Sequence, residues 1–294
     1  MARSNPAPAP SAGGRHRETY RFRSTRRPIA VGEFIGPSCL ARPVRAPPYP
    51  SRPTLSTDRT VAFLREGLPP PPATVLEVGC GAGEVAERLV DLGYDVTPID
   101  IDREAVAAAR KRGLPAMRAD IRSFRGGPYD ACVCLYTLHH LSPLGAIGSK
   151  FRARLRPEGR LVIGEYAWEE ADDATAAFWL DTLRTLESAG VARPHRPLPN
   201  PRVAPRAHWK SRHWGEEKLH PGSAMLRMLR IRFEILRLDR VPYLYAILGG
   251  SVPGPRRAAV TRAILAIEER RIKEGSIHPL GIQLVARRPS WDSG

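Results

Sequence analysis

An α/β fold, with a mostly parallel sheet covered by helices on both faces, is what this sequence predicts, and three observations predict it. From residue 57 onward, apolar segments of strand length alternate with amphipathic segments of helix length, the succession that βαβ units leave in a sequence. A buried strand runs into glycines at alternate positions, Val75-Leu-Glu-Val-Gly-Cys-Gly-Ala-Gly83, just before a helix. Such a turn lets a ligand approach bare backbone. Finally, 294 residues, 42% of them hydrophobic, suffice to bury one sizeable core.

Taken in order, Thr57 or Asp58 can cap a short helix that runs through Leu64 and stops at Gly67, after which Pro69 to Pro72 forbid a regular element. Next come a strand from Thr74 to Val78, a helix from about Gly83 to Leu92, a strand from Asp95 to Ile99 and a helix from Arg103 to Arg112. The last of these declares both ends: Asp102 as N-cap, Glu104 in the first turn, Arg110, Lys111 and Arg112 in the last, and Gly113 as the stop. Three strands follow, Ala116 to Asp120, Tyr129 to Tyr136 and Arg160 to Glu165, with a helix from Leu144 to Leu155 and the turn Arg156-Pro-Glu-Gly159 before the third. Beyond Glu165 the alternation stops. A long helix with Trp179, Leu183 and Leu186 at helical spacing leads into an irregular stretch from Arg193 to Trp214. A helix from Gly222 to Leu229, a strand from Phe233 to Leu238, a helix ending at Gly275 and a strand from Gly281 to Ala286 complete the pattern.

The formal net charge is +16, and half of it sits in the first 56 residues, which hold ten Arg, two Glu and ten of the 30 prolines. Such a segment cannot bury enough apolar area to offset its ordering entropy, so residues 1–56 read as a disordered Pro/Arg-rich leader. It contains no apolar stretch of the kind a secretory signal needs, and its prolines oppose the amphipathic helix of a transit peptide. Apolar runs such as Ala131 to Tyr136 are far shorter than the roughly 18 residues that cross a bilayer, so no membrane segment is expected. Four cysteines without zinc-ligand spacing give neither a disulfide scaffold nor a metal site, and the expected compartment is the reducing cytoplasm.

The glycine turn decides between cofactor classes. A dinucleotide fingerprint needs G-x-G-x-x-G, which would place the third glycine at position 84, where Glu84 stands. A pyrophosphate on this helix N-terminus would be repelled by that carboxylate, whereas a neutral or cationic ligand would not. Asp100, at the end of the next strand, is positioned to accept hydrogen bonds from a ribose diol. Glu77-Val-Gly-Cys-Gly-Ala-Gly83, with Asp100, Asp120, Tyr129-Asp-Ala-Cys-Val-Cys134 and Leu155-Arg-Pro-Glu-Gly-Arg160, resembles a class I S-adenosylmethionine-dependent methyltransferase of the small-molecule type. The resemblance covers Thr57 to about Tyr166 and, more loosely, Phe233 to Arg288.

It implies a Rossmann-like, seven-stranded sheet with an antiparallel last strand, in a domain spanning residues 57–290, with a helical lid inserted over about 166–231. It implies S-adenosyl-L-methionine as cofactor: Gly79, Gly81 and Gly83 admitting the methionine part, Glu77 opposite its ammonium, and Asp100 on the ribose. Ile101 would flank the adenine, Asp120 and Ile121 would meet its amine edge, and Leu135 and Tyr136 would border the methyl transfer path.

In-line methyl transfer gains much from alignment and desolvation, so catalytic groups can be few. His139 and His140 are the nearest general-base candidates, because they follow a strand whose end should face the cleft. Leu135-Tyr-Thr-Leu-His-His140 lacks the prolines found where base amines in DNA are methylated, which favours an oxygen or nitrogen of a small molecule as acceptor. Cys132 and Cys134 should pack in the core, and Cys80 should fill the turn. Phe178 and Trp179 should pack their helix on the sheet, leaving Trp209 and Trp214 as candidates to touch the acceptor. Two other readings stand beside this one. An RNA or protein methyltransferase would use the basic leader with Arg202, Arg206, Lys210 and Arg212, and a binding protein would keep the fold without the chemistry. The sequence sets no oligomeric state.

Overall fold

A computed structural model describes residues 55–193 and 202–290. The leader predicted over 1–56 therefore lies, save its last two positions, outside the described residues. Among those described, the first half runs α1 (Leu55–Gly67), β1 (Thr74–Val78), α2 (Glu84–Asp91), β2 (Asp95–Asp100), α3 (Arg103–Lys111), β3 (Met117–Arg118), β4 (Tyr129–Leu135), α4 (Leu144–Arg154) and β5 (Leu155–Tyr166). The second half runs α5 (Asp173–Ser188), α6 (Pro205–Lys210), a π-helical turn (Ser211–Glu216), α7 (Gly222–Arg232), β6 (Glu234–Val241), α8 (Leu244–Gly250), α9 (Arg257–Lys273) and β7 (Gly281–Arg287). Among the described residues no helix is long and apolar enough to cross a membrane.

The strands form one seven-stranded sheet in the order β3-β2-β1-β4-β5-β7-β6. All neighbours are parallel except β7, which runs antiparallel to both β5 and β6, as the resemblance implied. Strand order reverses between β1 and β4, which lie side by side with Val78 opposite Cys134. At such a switch point the connections leave in opposite directions and open a crevice at the carboxyl ends of the strands. The glycine turn and Leu135–Tyr136 both leave the sheet there.

Alternate residues of each strand feed opposite faces, which is why β1, β4 and β5 read as continuous apolar runs. Val75, Val96, Ala131, Val133 and Val162 meet Phe63, Leu64, Leu89 and Val106 from α1, α2 and α3. Leu76, Val78, Cys132, Cys134, Leu161 and Ile163 meet Ile147 and Phe151 of α4 and Met225 and Leu229 of α7. Cys132 and Cys134 are thus core residues, as expected.

Several boundaries differ from the sequence reading. α1 starts at Leu55, ahead of the caps proposed at Thr57 or Asp58, and β3 is two residues long instead of five. β5 begins at Leu155, not Arg160, because the turn is absorbed into the strand: Leu155 already pairs with Tyr129, and Glu158 takes a positive φ of 62°. Asp102 caps α3 as expected, its Oδ1 accepting from the N–H groups of Glu104 and Ala105 at 2.6 and 3.0 Å.

The stretch from Arg193 to Trp214 is not irregular throughout, since α6 and the π-helical turn occupy 205–216. Burial of Trp209 stabilises α6: its side chain is 1% exposed and its indole N–H donates to the Trp168 carbonyl at 2.7 Å. Phe178 and Trp179 likewise pack in a separate helical core instead of on the sheet. That core joins α5 and α6 to α8 and α9, with Leu244, Leu248, Ile264 and Leu265 among its members. The lid expected over 166–231 is accordingly redrawn. α7 belongs to the sheet's own cover, whereas α8 and α9, far downstream, belong to the cap.

Candidate active site

β1 is buried along nearly its whole length and ends on Glu77-Val78, where the chain must leave the sheet between β2 and β4 without a side chain in the way. Gly79 and Gly81 do this with φ of 77° and 54°, the left-handed region that side chains avoid. A Cβ on Gly79 would collide with the Thr137 side chain. The turn is fixed by its neighbours: the N–H groups of Gly79 and Cys80 donate to the Ile99 carbonyl at 2.9 and 3.1 Å. Gly81 N–H donates to Asp100 Oδ2 at 2.9 Å, and Asp102 N–H donates to Asp100 Oδ1 at 2.8 Å. Asp100 thus ties the ends of β1 and β2 together, and each of its oxygens keeps capacity for a second donor.

Above this turn lies a cavity of about 270 Å³. Its floor is Glu77, Gly79, Cys80 and Gly81, one wall is Leu135, Tyr136 and Thr137, and its roof is the start of α1 with Gly249, Arg257 and Thr261 of the cap. Glu77 is 3% exposed, and its Oε2 has no hydrogen-bond partner. Burial, and then the nearby Asp100 carboxylate, push its pKa up to about 8. An acid with an unpartnered buried oxygen at the bottom of a cavity is arranged to receive a donor from outside the chain.

A second cluster forms where β4 and β5 end. His139, in a short turn after β4, and Glu165, near the end of β5, are 5% and 1% exposed. Their Nδ1 and Oε2 are 2.6 Å apart, and the His139 backbone N–H reaches Glu165 Oε1 at 3.3 Å. With Nδ1–H donated to the carboxylate, Nε2 keeps the lone pair, the arrangement of an oriented proton acceptor. Aromatic rings connect this pair to the cavity. Tyr136 lies 5.5 Å from Tyr243, which stacks on Tyr166 at 4.2 Å, and Tyr166 meets the His139 ring edge-on at 5.1 Å.

Of the residues predicted from sequence, the structure brings Glu77, Gly79, Gly81, Leu135 and Tyr136 to the cavity wall, with Asp100 bonded to Gly81 behind it. Gly83 does not line it. A Cβ there would strike Leu114 and sit 2.9 Å from the Ala109 Cβ, so this glycine lets α2 pack against α3. Ile101 lies just past β2 with 62% of its surface exposed, the Ile121 side chain is in the core, and Asp120 turns its carboxylate to Arg122 at 2.9 to 3.0 Å. His140 is exposed at its edge, but burial of the rest of its ring, and then the neighbouring imidazole of His139, lower its pKa to about 4. Trp209 is buried in the cap, which removes it as an acceptor contact, while Trp214 is 64% exposed beside Trp168.

Sequence reasoning missed Glu165, Thr137 and the roof residues of α8 and α9. Glu165 had a signal, an acid closing a strand beside the switch point; the roof had none. Among the described residues, no group of three or more His, Cys, Asp or Glu is placed to hold a metal ion.

Residues 76–163, which carry the floor of this cavity and the wall at Leu135 to Thr137, match the family described as a methyltransferase domain. That segment is a methyltransferase domain. Curated relatives of this domain include two ubiquinone biosynthesis O-methyltransferases. One, from Xanthomonas axonopodis pv. citri (strain 306), is 33% identical over 138 residues, 44% of this chain and 58% of that protein. The other, from Xylella fastidiosa (strain 9a5c), is 33% identical over 110 residues, 34% of this chain and 45% of that protein. The chain thus spans about half the length of the curated relatives it matches. Among solved structures, an S-adenosylmethionine-dependent methyltransferase from Mesorhizobium loti is 16% identical with a TM-score of 0.50, covering 79% of this chain and 100% of that one. A geranyl diphosphate C-methyltransferase from Streptomyces coelicolor A3(2) is 14% identical with a TM-score of 0.50, covering 79% and 76%. At these identities the two structures share the methyltransferase domain's fold and nothing narrower.

Proposed function

We propose that this chain is an S-adenosyl-L-methionine-dependent methyltransferase acting on a hydroxyl oxygen of a small molecule. The observation that carries the reading is the buried, unpartnered Glu77 Oε2 at the floor of a glycine-cradled cavity. A ligand ammonium supplies the donor that Glu77 lacks, and the bare backbone at Gly79 and Gly81 admits the chain that bears it. Asp100 has capacity left for ribose hydroxyls, and the exposed Ile101 offers a flat apolar face to the adenine. Asp120 is held by Arg122, so any contact to the adenine amine shares that carboxylate with the guanidinium. Bound there, the cofactor would supply an electrophilic methyl carbon on a sulfonium, open to in-line attack by an acceptor oxygen with the sulfur leaving on the C–S bonding pair.

An acceptor hydroxyl must also lose its proton. His139 Nε2 takes it, and Glu165 holds the imidazole in the accepting tautomer and stabilises the imidazolium that forms. Tyr136, Tyr166 and Tyr243 wall the space between cavity and base and exclude water from it. The O-methyltransferase names of the curated relatives favour oxygen over nitrogen. The alternative of an RNA acceptor loses part of its basic surface: Arg206 lies 3.8 Å from Asp173, and Arg212 lies 3.7 Å from Glu217 and over the Trp179 ring.

The test is incubation of the full chain with methyl-labelled cofactor and a metabolite extract, read by mass spectrometry, beside calorimetry with S-adenosyl-L-homocysteine. Label on a small molecule, with binding of the demethylated product, is the expected result. Label on RNA or protein alone moves the acceptor to the other class, and absence of both binding and label removes the enzyme.

A further inference from the structure

The cavity walls are unbalanced in charge in an informative way. Glu77 and Glu84 both line it, Asp100 is bonded to its floor, and among the described residues Arg257 is the single basic one on its lining. Arg257 enters at the start of α9, outside the matched segment 76–163. Its Nε is spent on the Val252 carbonyl at 2.7 Å, which fixes the plane of the guanidinium. Its two terminal nitrogens make no hydrogen bond among the described residues, and its charge is near enough to act weakly on Glu84 of the same lining.

The element that carries Arg257 is held firmly. Thr261, one turn later, donates to the Arg257 carbonyl at 2.7 Å and packs so closely on α8 that a Cβ on Gly249 would strike it. Glu268 accepts from the N–H groups of Tyr243, Leu244 and Tyr245 at 2.8 to 2.9 Å and locks the start of α8 against α9. A fixed guanidinium with two unspent donors, facing a buried acid that lacks a donor, matches a zwitterion with its cation toward the floor and its anion toward the roof.

We propose that Arg257 is the carboxylate clamp of this cavity, binding the α-carboxylate of the cofactor's methionine part opposite Glu77 and so tying the helical cap to the sheet through the ligand. The assignment rests on the cofactor reading above. It makes the chain beyond residue 163, outside the matched segment, a contributor to cofactor affinity. It also separates the two charges of the amino-acid head between two structural units, the sheet and the cap.

The experiment compares S-adenosylmethionine with decarboxylated S-adenosylmethionine, which keeps the ammonium and lacks the carboxylate, by calorimetry on the full chain without acceptor. The unaltered protein is expected to prefer the carboxylate-bearing ligand by about 10- to 100-fold, the range of a charge-assisted pair. In Arg257→Met that preference falls to within about threefold, through weaker binding of S-adenosylmethionine alone, and Arg257→Lys restores part of it. Equal affinity for both ligands in the unaltered protein overturns the clamp, as does a preference that survives in Arg257→Met or an equal loss for both ligands. Should Arg257→Met fail to fold, the ligand comparison and Arg257→Lys decide alone. Binding of neither ligand to the unaltered protein overturns the cofactor reading itself, which a mere failure of the clamp leaves standing.

Discussion

The ends of β1 and β5 each carry a buried glutamate, Glu77 on the cavity lining and Glu165 beside His139, and the two are in opposite states. Glu165 is fully engaged within the chain, bonded to the His139 ring at 2.6 Å and to its backbone N–H. Glu77 has an oxygen with no partner and a pKa pushed up to about 8 by burial and by Asp100. A carboxylate satisfied internally can shape a neighbour's proton affinity. One left unsatisfied costs the fold stability, and that cost is recovered only when a cationic ligand arrives. On the function proposed above, this is a division of labour: the β1 end would recognise the cofactor, and the β5 end would prepare a proton acceptor.

The largest effect is expected at the β5 end. His139→Gln and Glu165→Gln should each lower kcat by about 100-fold or more, and the double variant should be little worse because the pair acts as a unit. Steady-state kinetics with KM nearly unchanged would mark the loss as chemical. Activity within about threefold of the parent would reduce the pair to a structural pin.

The β1 end should respond differently. Glu77 has a folded-state pKa above its unfolded value, so the stability it contributes is complete below about pH 4.5 and is lost as pH rises through about 8. Glu77→Gln should therefore melt higher than the parent at about pH 9, by an amount up to the order of 4 kcal/mol, while binding S-adenosylmethionine about tenfold or more weakly. Melting curves that coincide at alkaline pH would show the acid to be solvated.

Smaller effects separate the glycines. Gly83→Ala should destabilise the fold by about 1 to 3 kcal/mol through its strained φ and its collision with Leu114, yet leave cofactor affinity within about threefold. Gly79→Ala should instead weaken cofactor binding by about three- to tenfold, since the clash with Thr137 is at the cavity itself. The smallest effect falls on His140. Its pKa is held to about 4, so it is neutral wherever the enzyme is assayed, and its stabilising contribution is lost only as pH falls from about 6.5 toward that value. His140→Asn should leave the pH–rate profile unmoved between about pH 6 and 9. A profile that shifts would transfer the proton-accepting role from His139 to its neighbour.

What the sequence made legible follows the same division. Gly79, Gly81 and Asp100 lie within one βαβ unit, where the turn and the strand end call for their residue types, so spacing exposes them, whereas Glu77 is singled out only by the family resemblance. His139, in the turn after β4, and Glu165, on β5, are 26 residues apart, and the hydrogen bond joining them exists only through the register that sets Leu135 opposite Gly164. Arg257 reaches the cavity from a helix between the last two strands, and no periodicity reports that. α8, seven residues of apolar and small side chains, passes unnoticed because Glu268 supplies its cap from α9. α6 was hidden by its Pro, His and Trp content, since burial of Trp209 outweighs the poor helix propensity of those residues. Gly83 is legible as a glycine but not by its place, because the same motif puts Gly79 on the cavity lining and Gly83 in the packing of α2 on α3.

The central claim, that the Glu77 carboxyl waits for a ligand's ammonium group, is tested most directly by counting protons. Calorimetry of S-adenosylmethionine binding at about pH 6.5, in buffers of different ionisation enthalpy, reads the number released while the ligand's own amine is already charged. The account predicts release of about one proton as Glu77 ionises on contact, and none in Glu77→Gln. Binding without proton release, or release that persists in the variant, would contradict it.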